Sequence, residues 1–320
     1  MLFYTLRRIN LFIITLLILT LIGYSILRLD PLSPWAIQDF FQGWFTYLGQ
    51  LSQFNLGVNL HGDPIIDEIK LVFPATLELC FFAMIISLII GIPIGTIAGM
   101  RQGKWVDTFI SFTSMVGYSI PIFWIALMMI MFFSLNLGYT PVSGRHDLLL
   151  EVPYITGFAT IDAFITDEAN RLELIHSVIM HLLLPCMVLA LAPTTEVIRL
   201  MRSSVAEVRK QNYIRAARIR GLSTYEIIFQ HVLRNAIPPI IPKVGVQLST
   251  MLTYAIITES IFNWPGIGRW LLDALADKDY VSIQAGVITV ATFVLLVNIL
   301  SDLIGAMVNP LVRKQWYAVK

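Results

Sequence analysis

Apolar residues along the chain gather into long runs separated by polar, turn-rich segments. The first run, Leu11 to Leu27, follows Arg7 and Arg8 and is broken by Asp30-Pro31 and Ser33-Pro34. It predicts an uncleaved membrane span over about residues 9–29, since its apolar core is too long for a signal peptide and no clear small-residue cleavage site follows. The later runs predict spans over about 75–100, 108–136, 182–200, 243–262 and 283–308. Pro185 and Pro193 are read as interrupting the fourth span. Gly91, Gly95 and Gly99 lie four apart in the second, which gives one helix face on which a neighbouring helix can approach closely.

Between the fourth and fifth runs lies a long polar stretch, Arg199 to Pro242, with a helical plan of its own. Asn212 is placed to cap a short helix over Tyr213 to Arg220. Gly221 stops that helix, because glycine enters the left-handed region without a Cβ penalty. Ser223 opens a second helix, Glu226 three residues later completes a capping box, and Pro238 and Pro239 end it. Tyr213, Ala216, Ala217 and Arg220 recur at i, i+3, i+4 and i+7 and so share a face, on which the two alanines leave a low surface for another protein. Arg209, Lys210, Arg215, Arg218 and Arg220 make the segment strongly basic, as cytoplasmic membrane loops are.

Composition agrees with a membrane protein. The chain is 57% hydrophobic and 13% charged, with mean hydropathy +0.74, against about 25% charged residues in soluble domains. The net charge of +1 conceals an asymmetry. With six spans and both termini inside, the inner segments hold 16 of the 22 Lys and Arg and the outer segments 14 of the 21 acids. Positive segments stay inside, so both termini are expected in the cytoplasm and Gly138 to Met180 in the periplasm. The expected organisation is an N-terminal span with a periplasmic segment over 1–73, a five-helix core over 74–309 with a cytoplasmic loop at about 203–240, and a cytoplasmic tail over 310–320. Trp35, Trp44 and Tyr47 suit a membrane interface, and Asp63 to Glu68 opens a short helix.

Candidate chemistry is sparse. Gly103-Lys104 is not a P-loop, because Ala98 stands where the first glycine belongs and Trp105 follows the lysine. If ATP powers this protein, another chain hydrolyses it. Cys80 and Cys186 sit in apolar runs and are read as packing residues. His176 and His181, five apart, do not share a helical face for a metal. Glu78, Glu196, Glu259 and Asp302 fall at membrane depth, where acids usually face a cavity or a partner. Each is read first as a satisfied or interfacial acid: Glu78 and Glu259 near the outer surface, Glu196 within reach of Arg199 at i+3, and Asp302 in polar contact with a neighbouring helix. The basic stretch suits anionic lipid as well as protein. It lacks the aromatic pattern of a nucleic-acid site, so no nucleic-acid partner is expected.

Several stretches carry a resemblance. Arg215-Ala216-Ala217, three residues, Gly221, nine residues and His231-Val232-Leu233-Arg234 resemble the EAA loop of ABC-importer permeases. The run HVLRNA, His231 to Ala236, resembles the dipeptide/oligopeptide/nickel branch, as do PATLEL at Pro74 to Leu79, the run from Glu259 to Arg269, and Asn298, Asp302, Asn309 and Pro310. PVSGRHDLL from Pro141, EVPYITGFATIDAF from Glu151, APTTEVIRLMR from Ala192, and Trp316 to Ala318 resemble the SapB-type sub-branch. The resemblance implies an all-α permease with six transmembrane helices and the type I importer fold. It implies that Tyr213, Arg215, Ala216, Ala217 and Gly221 belong to a coupling helix that docks on a cytoplasmic ATPase. It also implies a second, homologous permease, two ATPase subunits and a periplasmic substrate-binding protein, with ATP and Mg held by the ATPases and no cofactor in this chain. Members of the sub-branch are associated with uptake of antimicrobial peptides and with putrescine export. The departure is Arg215, where the general motif has glutamate; the reciprocal capping bond to Asn212 is lost. A proton-coupled secondary transporter would instead show inverted repeats and a midplane carboxylate pathway, and a membrane enzyme a catalytic constellation. Neither pattern is visible.

Overall fold

The computed structural model describes residues 2–31, 33–150, 152–166 and 170–308. The expectations for Glu151, Asp167, Glu168, Asn309, Pro310 and the tail to Lys320, with Trp316 to Ala318, lie outside the described residues. In chain order the helices are α1 (Leu2–Leu27), α2 (Pro34–Ile37), α3 (Phe40–Ser52), α4 (Ile65–Met100), α5 (Trp105–Ser119), α6 (Ile122–Met129), α7 (Ala159–Ile165), α8 (Arg171–Val208), α9 (Asn212–Ile219), α10 (Thr224–Glu226), α11 (Leu233–Ala236), α12 (Ile241–Ile261), α13 (Ile267–Ala276) and α14 (Tyr280–Val308). Two π-helical segments continue α6 and α10, at Ile130–Asn136 and Ile227–Val232.

α1, α4, α8 and α14 are each long and apolar enough to cross a membrane. Six spans result when each of two bent pairs counts as one, and this is where the structure departs most from the expected spans. The apolar run at 108–136 is not one rod. It bends by 94° between α5 and α6, at extended residues Ile120 and Pro121. The residue before a proline is driven out of the helical region, and proline has no N–H to continue the ladder. By contrast Pro185 and Pro193 do not interrupt α8, which runs through both. The helix expected to open near Asp63 is not short: it is the start of α4, 36 residues long. Expected spans over 9–29 and 243–262 correspond to α1 and α12 within a few residues at most ends.

The chain divides into two compact units. The first comprises Met1–Glu78, Gly138–Leu182 and Ala255–Val297. Its apolar centres are small and aromatic. Tyr24, Leu27 and Tyr47 are buried with Trp35 and Trp44 against them, so these aromatics serve packing. Tyr47 donates its hydroxyl to Gln284, whose amide reaches the Leu56 carbonyl at 3.3 Å. Ile65, Ile69 and Ala285 form a neighbouring group with Trp270.

The second unit comprises Leu79–Leu137, Leu183–Tyr254 and Asn298–Lys320. Here α4 and α8 pack through the glycine face seen in the sequence. A Cβ on Gly91 would lie 2.6 Å from Val197, one on Gly95 2.6 Å from Met201, and one on Gly99 2.7 Å from the Arg202 carbonyl. All three distances are too short for a side chain, so the close approach requires glycine at this face.

Candidate functional site

The basic stretch folds into an elbow of three short pieces in the second unit. α9 begins one residue earlier than the sequence suggests. Gln211 is the N-cap, with an extended backbone and no side-chain cap bond, and Asn212 is already helical. The expected Asn212 cap is therefore absent, and Arg215 does not stand at the third helical position. The end of α9 follows the sequence closely. Gly221 takes φ +83°. Its N–H reaches the Arg218 carbonyl at 3.0 Å, and the Leu222 N–H reaches Ala217 at 3.3 Å. This pair of bonds is a Schellman motif, which satisfies carbonyls that the helix end would leave open. A Cβ at Gly221 would meet nothing within 4 Å, so glycine is required here by the backbone sign and not by space.

Ser223 then caps α10. Its hydroxyl accepts from the Glu226 N–H at 3.2 Å, and the Glu226 carboxylate accepts from the Ser223 N–H at 2.8 Å, the reciprocal box expected from the sequence. The ladder widens to i→i+5 over Ile227–Val232 before α11 ends ahead of Pro238.

What fixes α9 to the span is its inner face. Ile214 and Ala217 are buried in one cluster with Val197, Met201 and Val205 of α8 and Ile227, Val232, Ala236 and Ile240 beyond the elbow. Ala217 thus points inward, at 6% exposure, while Ala216 is exposed. Tyr213, Arg215, Arg218 and Arg220 are on the outer face, and Ile219 is 88% exposed. Of the five residues expected on the helix, Tyr213, Arg215, Ala216 and Gly221 are open to an approaching partner and Ala217 is an anchor. The sequence reading missed Ile214, the deepest anchor. Its spacing of three from Ala217 was the available signal. Burying an Ile side chain stabilises by about 1.5–3 kcal/mol, so Ile214 alone makes a large contribution to holding so short a helix.

Polar contacts brace the same region. Arg202 of α8 holds Asp107 of α5, with Nη2 to Oδ2 at 2.9 Å and a second bond from Nε. Asp107 also accepts from the Gly103 N–H at 2.9 Å, which fixes the turn between α4 and α5. Arg209 donates to the Met100 carbonyl, and Ser204 to Ala236 at 2.8 Å. α8, the turn after α4 and the elbow are therefore tied together by both apolar and charged contacts.

The other candidate acids divide. Glu196 pairs with Arg199 at 2.6 Å, as the i, i+3 spacing predicts. Glu78 and Glu259 are buried within the protein, 2% and 0% exposed. Glu78 is paired with Arg145 at 2.5 Å and accepts from the Thr160 N–H and hydroxyl at 2.7 and 2.6 Å. Arg145 also lies 5.7 Å from the centre of the Trp264 ring. Glu259 accepts from Thr76 at 2.5 Å and from the Arg269 N–H at 3.0 Å. Both acids are satisfied, as buried polar groups must be. Asp302 is half-buried on α14. Cys80 and Cys186 are buried thiols. No group of three or more metal-ligating side chains occurs among the described residues.

Bent and unbroken apolar helices, with a basic elbow locked onto one of them, define a polytopic membrane protein. The chain belongs to the family of binding-protein-dependent transport system inner membrane components, whose family model matches residues 91–314. It is 50% identical, over 321 aligned positions and 100% of both chains, to the putrescine export system permease protein SapB of Escherichia coli (strain K12). It is equally similar, over the same extent, to the peptide transport system permease protein SapB of Salmonella typhimurium. Among solved structures, a chain of the MetNI methionine ABC transporter in an inward-facing conformation superposes with a TM-score of 0.55. That match is 16% identical and covers 73% of this chain and 93% of the other, which establishes the ABC-importer permease fold. The protein is thus a multi-pass inner-membrane ABC permease.

Proposed function

We propose that this chain is the permease subunit of an ABC transporter that moves peptides, antimicrobial peptides among them, across the inner membrane. The observation that carries the reading is the anchoring of α9. Ile214 and Ala217 seat it on α8 while Tyr213, Arg215 and Ala216 face outward. A helix held in this way moves with the span beneath it, so displacement by a docked ATPase passes into α8. The partners are a second, homologous permease that completes the path, two ATPases that bind ATP and Mg on the cytoplasmic side, and a periplasmic binding protein that delivers cargo. Both termini are cytoplasmic, in keeping with the charge asymmetry of the loops. The mechanism is alternating access, in which ATPase closure shifts the population between outward- and inward-facing forms.

The 50% identity to a permease named for putrescine export favours a second reading, in which the same machinery moves putrescine outward. The test is the full complex in sealed vesicles with a labelled cationic amphipathic peptide and labelled putrescine. ATP-dependent movement of the peptide toward the cytoplasmic side supports the first reading. Movement of putrescine alone, away from that side, replaces it with the second. ATP-dependent movement of neither rejects both.

A further inference from the structure

The second unit contains a cleft of about 430 Å³ whose lining includes Ser114 and Tyr118 of α5 and Thr195, Glu196 and Arg199 of α8. Its volume is that of a small-molecule site. Tyr118 also lines a second cavity, of about 220 Å³, at the break between α5 and α6. The two hollows therefore adjoin along α5. Polar side chains at membrane depth are costly unless they face water, a partner or cargo.

The chemistry of the lining is directional. The Ser114 hydroxyl donates back to the Ile110 carbonyl at 2.8 Å, and that of Thr195 to Ala192 at 2.8 Å. With their protons committed to the helices, both present acceptor lone pairs to the cleft. Arg202 is occupied by Asp107, whose side chain is only 3% exposed. Glu196 pairs with Arg199, and the two members are unequally placed: the glutamate is 27% exposed and the arginine 72%. An exposed i, i+3 pair is weak. When it opens, the long arginine arm can reach solvent, while the shorter glutamate stays in the cleft. What remains is one carboxylate with two hydroxyl acceptors beside it, in a cleft whose other cation, Arg202, is neutralised by Asp107, and this suits an N–H donor of positive charge.

We propose that this cleft is an amine-recognition subsite on the transport path, in which a protonated amine of the cargo displaces Arg199 and pairs with Glu196. The proposal rests on the permease reading above. It names the chemistry shared by a cationic peptide and a diamine. The test is ATP-dependent transport by the full complex in proteoliposomes, with trilysine, putrescine and N-acetyl-trialanine amide as probes. Glu196→Gln is expected to lower transport of amine-bearing cargo by about tenfold or more, the loss of a charge-assisted hydrogen bond, with assembly and ATPase activity retained. Arg199→Gln removes the competing cation and is expected to hold or raise it. The double variant should behave like Glu196→Gln alone, and the uncharged probe should not respond to any of them. Whether the response is seen with trilysine or with putrescine identifies the source of the amine. A pair that only steadies the helix predicts equal losses in the two single variants and recovery in the double. That outcome, or an unchanged Glu196→Gln, overturns the subsite and leaves the permease reading intact. A wild-type complex that moves none of the amine probes overturns both.

Discussion

Replacing Gly221 by valine isolates the elbow from the rest of the fold. At φ +83° a β-branched residue is strained, by about 1–2 kcal/mol. No collision adds to this, because a Cβ there has nothing within 4 Å. If the backbone instead relaxes to negative φ, the Schellman bonds from Gly221 to Arg218 and from Leu222 to Ala217 are lost, each worth about 0.5–1.5 kcal/mol net. Either route costs about 1–3 kcal/mol in a segment of two turns, which lowers the equilibrium constant for the correct elbow by roughly fivefold to 150-fold. The spans and the Ile214 anchor are untouched, so insertion and pairing with the proposed second permease should be normal. Co-purification with the ATPases and ATP-driven transport should both fall. Gly221→Asn is the matching control, because asparagine tolerates the left-handed region, and it should keep most of the activity. Gly221→Val with wild-type ATPase binding and transport would refute the reasoning.

Arg215→Glu separates docking from helix stability. With Gln211 as the N-cap, a glutamate at 215 completes no capping box and gains at most about 0.3–1 kcal/mol from the helix dipole, so reduced ATPase pull-down would report a lost charge contact, and unchanged pull-down would remove Arg215 from the docking face. Arg145→Met leaves Glu78 buried without its cation and should cost about 3–5 kcal/mol, read as a lower thermal midpoint in detergent; Arg145→Met with Glu78→Gln should recover part of it, and an unshifted midpoint in the single variant would mean that the pair is not buried in solution. A cysteine at the exposed position Ser143 should react with an impermeant maleimide added to spheroplasts, whereas one introduced near the C-terminus should not; the opposite pattern inverts the proposed topology.

Local signals in the sequence were read well where the structure is local. The Ser223–Glu226 box, the left-handed Gly221, the Glu196–Arg199 pair and the glycine face at 91, 95 and 99 each follow from a few neighbouring residues and their spacing. Departures arise where tertiary packing decides. The N-cap of α9 is Gln211, one residue before Asn212, and the face that meets α8 is set by Ile214 and Ala217. The same phase turns Ala217 away from the outer face. The cation that satisfies Glu78, Arg145, lies 67 positions away, and nothing local announces which residue it is. The bend at Pro121 and the continuity of α8 through Pro185 and Pro193 show that proline alone does not decide a break. Proline removes a hydrogen bond in either case, and whether the helix stops depends on what surrounds it.

The buried Glu259 carries a consequence for how this sequence can change. A Cβ on Gly266 would lie 2.2 Å from the Glu259 carboxyl carbon, and one on Gly268 2.9 Å from a carboxylate oxygen and 2.7 Å from Ile256. Thr76 is drawn into the same arrangement, donating to Glu259 and accepting from the Ile267 N–H at 2.8 Å. The acid, the two glycines and the threonine therefore constrain one another's identity. A side chain at 266 evicts the carboxylate, and a shortened acid at 259 strands the Thr76 hydroxyl and the Arg269 N–H. Single substitutions at these positions lead into dead ends, and a lineage can leave this arrangement only by changing several of them together. Sequence variation in descendants of this protein should accordingly appear here as block replacement, with the four positions exchanged as a set or kept as a set.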